Sequence, residues 1–460
     1  MAQPLTNPGA VRGWAKAVLQ GRADIVLFGD SNVAYNGHGF DAGMTRAARA
    51  FVDSYGTGLL WFGENRGLGA GLGDGYGTIA GSSGFSYDGS PIDAANVAND
   101  FTQYLYLAAP SQLNGARQGG LWTGPEAVDA RSNLRWHVTE GTFPGGGSWR
   151  PTVRLGVPPY TLVADFGTVS TQGALGLRTT SLSLPADATR APLLEWRLAP
   201  FSFATQFVGN LLAVRSRVED FNIGRGAAVH SYFFAGGRSS RWMAACVEAT
   251  SDAAIAAYLM DVRRTCDHVL VVINQGLNDR SETSPSIRGI RPGNSPAAFV
   301  DNMTYVIDRV RGAWVSQGWS LDQLHVLVCV AHPVSTPQSP ELQAYLYAMR
   351  ALARTDIAVT SLAEYHTEAT YAARGWYATT TDRTHLSTAG YDATSMTLLQ
   401  SVLATACDAD FNGDGGVDGT DVESFFLAFL DAAPECDVNV DGGVDGSDVE
   451  AFIRAWSSGC

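Results

Sequence analysis

Three short polar segments, each beside an apolar run, carry the residue types that ester hydrolysis requires. Ser31 follows the run IVLF and Gly29, Asn278 lies beyond the run VLVVIN, and His385 follows Asp382 by three positions. Acyl transfer from an ester needs a nucleophile, a base that accepts its proton and hydrogen-bond donors for the oxyanion. A serine, a histidine oriented by its own carboxylate and an asparagine amide supply these groups without a metal or an organic cofactor.

Each of these residues has a competing interpretation. Gly29 favours a tight turn that places Ser31 near a helix N-terminus, but a short Gly-Asp-Ser triplet also arises by chance. The pair Asn278-Asp279 is typical of a plain turn. Two other histidines compete with His385 for the role of base: His38 lies seven residues after Ser31, and His332 follows an apolar run and is expected to be structural or to lie at the rim of the site.

The elements that must position these residues alternate between strands and helices. The sequence predicts strands over 24–28, 227–234, 268–273, 324–330 and 357–362. It predicts helices over 11–19, 41–55, 239–264, 296–315, 340–354 and 388–406. Such alternation is typical of an α/β fold with a parallel sheet covered on both faces, and the polar segments fall at strand ends.

Between residues 56 and 226 the period changes to two. Segments such as LRWHVTEG, TTSLSL and LLEWRLA alternate polar and apolar residues between Gly, Pro and Asn turns. We expect a β-rich, sandwich-like domain inserted into an α/β domain made of residues 1–55 and 227–406. Its tryptophans are expected in the core or on a sugar-stacking face; they are Trp122, Trp136, Trp149 and Trp196.

Charge is concentrated at the C-terminal end. The net charge is −14, and residues 408–460 contribute −12 of it from 13 acids and one arginine. A near-neutral body argues against binding to nucleic acid, and no apolar run is long enough to span a membrane. Of the six cysteines, Cys329 lies in an apolar run and is expected to be a buried free thiol, whereas Cys407, Cys436 and Cys460 flank two acidic repeats where a disulfide is plausible.

The acidic tail, residues 407–460, repeats itself with a period of 27 residues. Each repeat places oxygen-bearing side chains at loop positions 1, 3, 5, 9 and 12, with Gly at position 6 and a backbone carbonyl at position 7, the pattern of an EF-hand-type Ca²⁺ loop. The residues of the first loop are Asp410, Asn412, Asp414, Gly416, Asp418 and Asp421. Those of the second are Asp437, Asn439, Asp441, Gly443, Asp445 and Asp448. We therefore predict two structural Ca²⁺ ions.

The catalytic segments together resemble the GDSL/SGNH hydrolases. The resemblance rests on Gly29-Asp30-Ser31, Gly276-Leu277-Asn278-Asp279 and Asp382-Arg383-Thr384-His385 in this order. It implies a three-layer, flavodoxin-like fold with Ser31, His385 and Asp382 as the catalytic triad. It also implies an oxyanion hole made of the Ser31 N–H, the Asn278 amide and a glycine N–H, with Gly237 preferred over Gly236.

The tail resembles a type I dockerin, because position 12 is Asp where an EF-hand has Glu. That resemblance implies a partner, a cohesin-type scaffold protein, and an extracellular, polysaccharide-degrading setting. No signal peptide is visible in the first residues, so secretion is expected from the module alone. The leading hypothesis is a secreted carbohydrate esterase that removes acetyl groups from a polysaccharide. The alternatives are a lipase or arylesterase on the same scaffold, and an inactive carbohydrate-binding or scaffold-attached protein.

Overall fold

The chain is described here from a computed structural model. Residues 5–458 are described except 31, 34–38, 53–55, 62–84, 88–89, 92–104, 108–116, 120–133, 143–147, 156–161, 171, 174–175, 184–192, 201–205, 208–214, 221–223, 234–237, 241–251, 265, 284–285, 287–288, 335–338, 353, 413–415 and 439–442. Two of the predicted catalytic residues, Ser31 and Gly237, lie outside the described residues, as does the rival base His38.

A five-stranded parallel sheet forms the centre of the molecule. Its spatial order is β15 (Val229–Phe233), β1 (Ala23–Gly29), β16 (His268–Gln275), β17 (Leu324–Val330) and β18 (Ala358–Ser361). Every residue of β1 and β17 is buried, as expected for strands that are covered on both faces. Counted along the chain, the five parallel strands lie in the order 2-1-3-4-5. From β1 the chain passes to β15 on one side and then returns to β16 on the other side, so the strand order reverses between β1 and β16. Ligands bind at this switch point in such sheets.

Helices cover both faces of this sheet. One face packs against α1 (Gly9–Gln20), α2 (Phe40–Phe51) and α8 (Thr388–Ala404), which share a continuous core with alternate strand residues. The other face carries α3 (Asp252–Val262), α4 (Pro296–Ser316) and α5 (Pro340–Arg350). Two short helices, α6 (Leu362–Tyr365) and α7 (Glu368–Ala373), follow β18. The predicted α/β fold with a covered parallel sheet is confirmed.

The described residues between 56 and 220 contribute antiparallel strands and none of the strands of the parallel sheet. These strands are β2 (Gly56–Trp61), β3 (Phe85–Tyr87), β4 (Ser90–Pro91), β5 (Leu105–Leu107), β6 (Arg117–Gly119), β7 (Leu134–Thr142), β8 (Ser148–Leu155), β9 (Leu162–Asp165), β10 (Val169–Ser170), β11 (Gly176–Ser183), β12 (Leu193–Pro200), β13 (Gln206–Phe207) and β14 (Arg215–Asp220). The largest of their ladders join β11, β7, β14 and β2, and β10, β8, β12 and β6. Division of the chain into domains at residues 56, 226 and 407 stays a prediction.

The C-terminal residues form two loop-and-helix units around a small core of their own. The helices are α9 (Gly419–Leu430) and α10 (Gly446–Ser458), and Phe425 and Phe452 stack with ring centroids 4.1 Å apart between them. Phe411, Cys436 and Val438 complete this core. No described helix is both long and apolar enough to cross a membrane.

The described cysteines include one in a disulfide and three free thiols. Cys407, at the start of the tail, is disulfide-bonded, whereas Cys266, Cys329 and Cys436 are free and buried. The prediction of a buried free thiol at Cys329 is confirmed. Burial of this thiol raises its pKa to about 12, so it is not a nucleophile at neutral pH.

Candidate active site

Gly29, the last residue of β1, packs closely against the neighbouring strand β16. A Cβ atom at this residue would lie 2.4 Å from the carbonyl oxygen of Asn274 on β16 and 2.7 Å from the Cγ2 atom of Val33. A side chain would therefore push the two central strands apart. The glycine is required here by close packing between strands, a reason that the sequence alone did not supply.

Asp30, the next residue, is buried in a network of polar side chains. Its Oδ1 atom accepts hydrogen bonds from the backbone N–H of Asn32 at 2.9 Å and from the Asn32 amide at 3.1 Å. The amide of Asn32 is fixed in turn, because the Tyr391 hydroxyl on α8 donates to its Oδ1 atom at 2.8 Å. Residues on both sides of position 31 are thus anchored to the sheet and to the last helix of the α/β fold.

Asn278, three residues beyond the end of the neighbouring strand β16, is hydrogen-bonded to this network. Its Nδ2 atom donates to the Oδ2 atom of Asp30 at 2.9 Å. Burial raises the pKa of Asp30, while the hydrogen bonds from Asn32 and Asn278 and the nearby charge of His385 act in the opposite direction. An asparagine amide carries two hydrogens, so the bond to Asp30 uses one of them and orients the other.

The predicted pair of Asp382 and His385 is formed. The Nδ1 atom of His385 lies 2.9 Å from the Oδ2 atom of Asp382, and the Oδ1 atom accepts the backbone N–H groups of Thr384 and His385 at 3.0 and 3.2 Å. Burial opposes ionisation of Asp382, but these hydrogen bonds outweigh it and lower its pKa. A proton held on Nδ1 by the carboxylate leaves Nε2 as the acceptor that a general base needs.

The loop that carries this pair is itself supported. Ser387 caps α8 by accepting the N–H of Gly390 at 3.3 Å, and Tyr377 and Leu386 form a short antiparallel bridge on either side of the loop. His332 lies beneath it, 2% exposed, with its Nε2 atom 3.1 Å from the carbonyl oxygen of Arg383. Burial lowers the pKa of His332 to about 4, so this ring is neutral and structural, as expected from the sequence.

A buried carboxylate next to Asn278 was not predicted. Asp279 is fully buried, and its Oδ1 atom accepts the backbone N–H of Ser239 at 2.8 Å and the Ser239 hydroxyl. Its Oδ2 atom accepts the Gln275 amide at 3.1 Å. In the sequence Ser239 lies two residues after the predicted oxyanion glycine Gly237, so one carboxylate fixes Ser239 and adjoins the predicted donor Asn278. Burial raises the pKa of Asp279 to about 7.

A second buried carboxylate, Glu282, binds the next residue, Ser240. Glu282 is 1% exposed; its Oε1 atom accepts the Ser240 hydroxyl at 2.7 Å and its Oε2 atom accepts the N–H of Gly293 at 2.7 Å. Only the pair of consecutive serines after the glycines, Ser239-Ser240, hinted at this arrangement in the sequence. Asp30 and Asn278 follow the carboxyl ends of β1 and β16 at the switch point, and the pair of His385 and Asp382 lies close enough for the charge of His385 to act on Asp30.

The described part of the tail has carboxylates suited to hard cations. Asp421 and Asp448, at position 12 of the two predicted loops, are each 0% exposed, and Asp410 is 6% exposed. Asp421 accepts the N–H of Asp418 at 2.8 Å, and Asp448 accepts the N–H of Asp445 at the same distance, so positions 9 and 12 are related alike in both loops. Buried carboxylates are stable when paired or bound to a metal, and oxygen donors suit Ca²⁺.

Three further predicted ligands, Asp414, Asn439 and Asp441, lie outside the described residues. Within the described ranges, no three His, Cys, Asp or Glu side chains are grouped closely enough to hold a metal ion. Calcium binding therefore stays a prediction, supported by the donor type and the burial of the described ligands.

Comparison with known proteins gives a likeness of fold. No protein-family model matches this chain, and no curated protein matches it. The solved structure of a peptidoglycan O-acetylesterase is similar over 87% of this chain and 99% of its own, with a TM-score of 0.53 and 15% identity. The protein YxiM of Bacillus subtilis (70% of this chain, 91% of its own, 12% identity) and a family two carbohydrate esterase from Cellvibrio japonicus (60%, 87%, 11%) have TM-scores of 0.29 and 0.24.

Only the first of these TM-scores exceeds 0.5, and that likeness concerns the fold alone. This chain has an α/β fold with a central parallel sheet, similar to that of a peptidoglycan O-acetylesterase.

Proposed function

We propose that this chain is a serine esterase of the GDSL/SGNH type that removes acetyl groups from a polysaccharide. The observation that carries the proposal is the pairing of His385 with Asp382 beside Asp30 and Asn278 at one edge of the sheet. Ser31, the proposed nucleophile, follows Asp30 directly in the sequence. The fold likeness to an enzyme that removes acetyl groups from peptidoglycan supports the substrate class.

The mechanism divides acyl transfer into two halves. The Ser31 hydroxyl attacks the ester carbonyl while the Nε2 atom of His385 accepts its proton, and Asp382 stabilises the resulting imidazolium. The oxyanion accepts hydrogen bonds from the N–H groups of Ser31 and Gly237 and from the Asn278 amide. His385 returns the proton to the departing sugar hydroxyl, which leaves an acetyl group on Ser31. Water, deprotonated by His385, then releases acetate and restores the serine.

The C-terminal module is proposed to bind two Ca²⁺ ions and to attach the enzyme to a cohesin-type scaffold outside the cell. The surface of this module supports the proposal of a protein partner, because large apolar side chains on α9 and α10 are exposed to solvent. These are Phe426 (39% exposed), Leu427 (61%), Leu430 (80%) and Trp456 (37%). Large exposed apolar patches often mark protein–protein interaction sites.

The catalytic proposal is tested by acetate release from acetylated xylan and from O-acetylated peptidoglycan, together with short- and long-chain p-nitrophenyl esters. Wild type is compared with Ser31→Ala and with the control Ser316→Ala, an exposed serine at the far end of α4. We expect wild type and Ser316→Ala to release acetate and Ser31→Ala to lose at least about 1,000-fold in kcat.

The outcomes separate the alternatives. A preference for esters with long acyl chains would indicate a lipid substrate in place of an acetylated polysaccharide. The same triad would then act on an acyl chain bound in a different pocket. Equal activity of wild type and Ser31→Ala on every ester would end the proposal that position 31 is the nucleophile. Absence of activity from a folded wild type would favour a binding protein.

A further inference from the structure

Helix α1 has two faces with different partners. Val11, Trp14, Ala15 and Val18 are fully buried in the core under the parallel sheet, and the Trp14 indole N–H donates to the carbonyl oxygen of Asp24 at 2.9 Å. Arg12 and Lys16 extend from the helix toward the C-terminal tail. They are four residues apart and therefore neighbours on the helix surface. One helix thus contacts both the catalytic core and the acidic module.

Arg12 is buried against the first predicted calcium loop. It is 7% exposed, its Nε atom donates to the carbonyl oxygen of Thr405 at 3.0 Å, and its Nη2 atom lies 3.4 and 3.3 Å from the carbonyl oxygens of Asp410 and Phe411. The guanidinium also lies 5.2 Å from the centre of the Phe411 ring. Burial lowers the pKa of Arg12, and the charges of Asp408, Asp410 and Glu435 oppose that effect.

Lys16 makes the corresponding contact with the second loop. Its Nζ atom donates to the carbonyl oxygen of Val438 at 3.0 Å and pairs with Asp408 at 2.6 Å. Phe411 and Val438 are 27 residues apart, which equals the period of the repeat, so both occupy position 2 of their loops. Both side chains also belong to the core of the module. The two cations of α1 therefore bind equivalent carbonyls of the two repeats.

We propose that α1 is the docking surface for the chain's own C-terminal module, and that calcium bound in the two loops stabilises the catalytic fold through this contact. The inference rests on the calcium binding proposed above. The carbonyls that Arg12 and Lys16 bind lie at the beginning of each loop, and they are held in place only when the loops are ordered. A ligand that binds the loops only in their folded conformation also stabilises the elements whose folding is coupled to that of the loops.

The position of α8 indicates which property calcium affects. The catalytic loop precedes the N-terminus of α8, and Thr405, bound by Arg12, follows its C-terminus. Seventeen residues of helix separate these ends by about 25 Å. Calcium is therefore too far from His385 to act on the chemistry. Its effect is on the stability of α1 and α8.

The test uses the full chain with Ca²⁺ or with a chelator. Isothermal titration calorimetry measures metal binding, and hydrogen exchange measures protection of amides in α1 and α8. The variant Lys16→Met breaks one contact of the interface, and Arg12→Met breaks the other. Arg454→Met is the control, because Arg454 lies on α10 with its side chain 75% exposed and pairs only locally with Glu450 among the contacts described.

In wild type and Arg454→Met, we expect Ca²⁺ at roughly a hundred times its dissociation constant to slow exchange in α1 and α8 by about tenfold or more. We expect Lys16→Met to bind Ca²⁺ but to lose most of that protection, with kcat unchanged at low temperature. Heat of Ca²⁺ binding without protection of α1 and α8 in wild type would overturn the coupling and leave the metal sites standing. Neither heat nor protection would overturn both proposals.

Discussion

Replacement of Asp279 by asparagine tests whether the buried carboxylate beside Asn278 positions the oxyanion hole. The carboxylate accepts three hydrogen bonds, two from Ser239 and one from Gln275. Asparagine has the same shape but presents one oxygen and one NH₂ group. With its NH₂ group toward Ser239, asparagine would oppose the Ser239 backbone N–H; with that group toward Gln275, the Gln275 amide would have to turn over to present its oxygen. Either arrangement changes the hydrogen bonds that hold Ser239 or Gln275 in place.

The size of the effect follows from the cost of that mismatch. A buried donor that loses its acceptor costs about 1–3 kcal/mol. If this cost appears fully in the transition state, kcat falls by about 5- to 150-fold, a range that reaches only the lower end of the 10²- to 10³-fold loss typical of deleting an oxyanion donor outright. Because the oxyanion forms only during the reaction, KM should change little.

The matched control is Glu282→Gln. Glu282 accepts the N–H of Gly293 and the hydroxyl of Ser240. The glutamine oxygen can keep the first bond, and the Ser240 hydroxyl can reverse and accept from the glutamine NH₂ group. We expect Glu282→Gln to retain kcat within about threefold of wild type. Steady-state kinetics on p-nitrophenyl acetate measures both variants, and an Asp279→Asn enzyme with wild-type kcat and wild-type melting temperature would refute the positioning role.

Two other predictions concern the same cluster. Burial raises the pKa of Asp279 from 3.8 to about 7, so the folded protein binds this proton more tightly than the unfolded chain. The resulting stabilisation of the folded state, about 4 kcal/mol at most, is fully present below about pH 4 and is lost as the pH rises through about 7. The melting temperature of Asp279→Asn should therefore vary less with pH over this range than that of wild type. An equal pH dependence of the two melting temperatures would contradict the assignment. Asp382→Asn should lower kcat by about 10²- to 10⁴-fold with an unchanged fold, because His385 loses the carboxylate that sets its tautomer; full activity would make Asp382 dispensable.

The parallel sheet was predictable because its strands are short apolar runs. The run over 324–330 matches β17 residue for residue, and the run over 24–28 falls within β1. A strand covered on both faces must be apolar throughout, and such a signal survives in a single sequence. Helices α6 and α7 were missed because four and six residues are too few for a helical period to appear. The helix predicted to residue 354 ends at Arg350.

The candidate site was predictable only in part. Asp382 and His385 are three residues apart, so one loop brings them together and local reasoning suffices. The bonds from Asn278 to Asp30 and from Ser239 to Asp279 join residues 248 and 40 positions apart, and they depend on the order of strands in the sheet. The contacts of Arg12 were not predictable, since its partners in the tail are backbone carbonyls, which carry no signal in their side chains.

The contact between Arg12 and the tail also determines how the protein can be divided for study. A shortened chain that stops at Ala406 retains every predicted catalytic residue, yet the contacts of Arg12 with Asp410 and Phe411 and of Lys16 with Val438 are lost. The arginine then faces water beside a helix whose other side is core. Recombinant material shortened in this way should express less well and aggregate more readily than the full-length protein, although its active-site residues are intact.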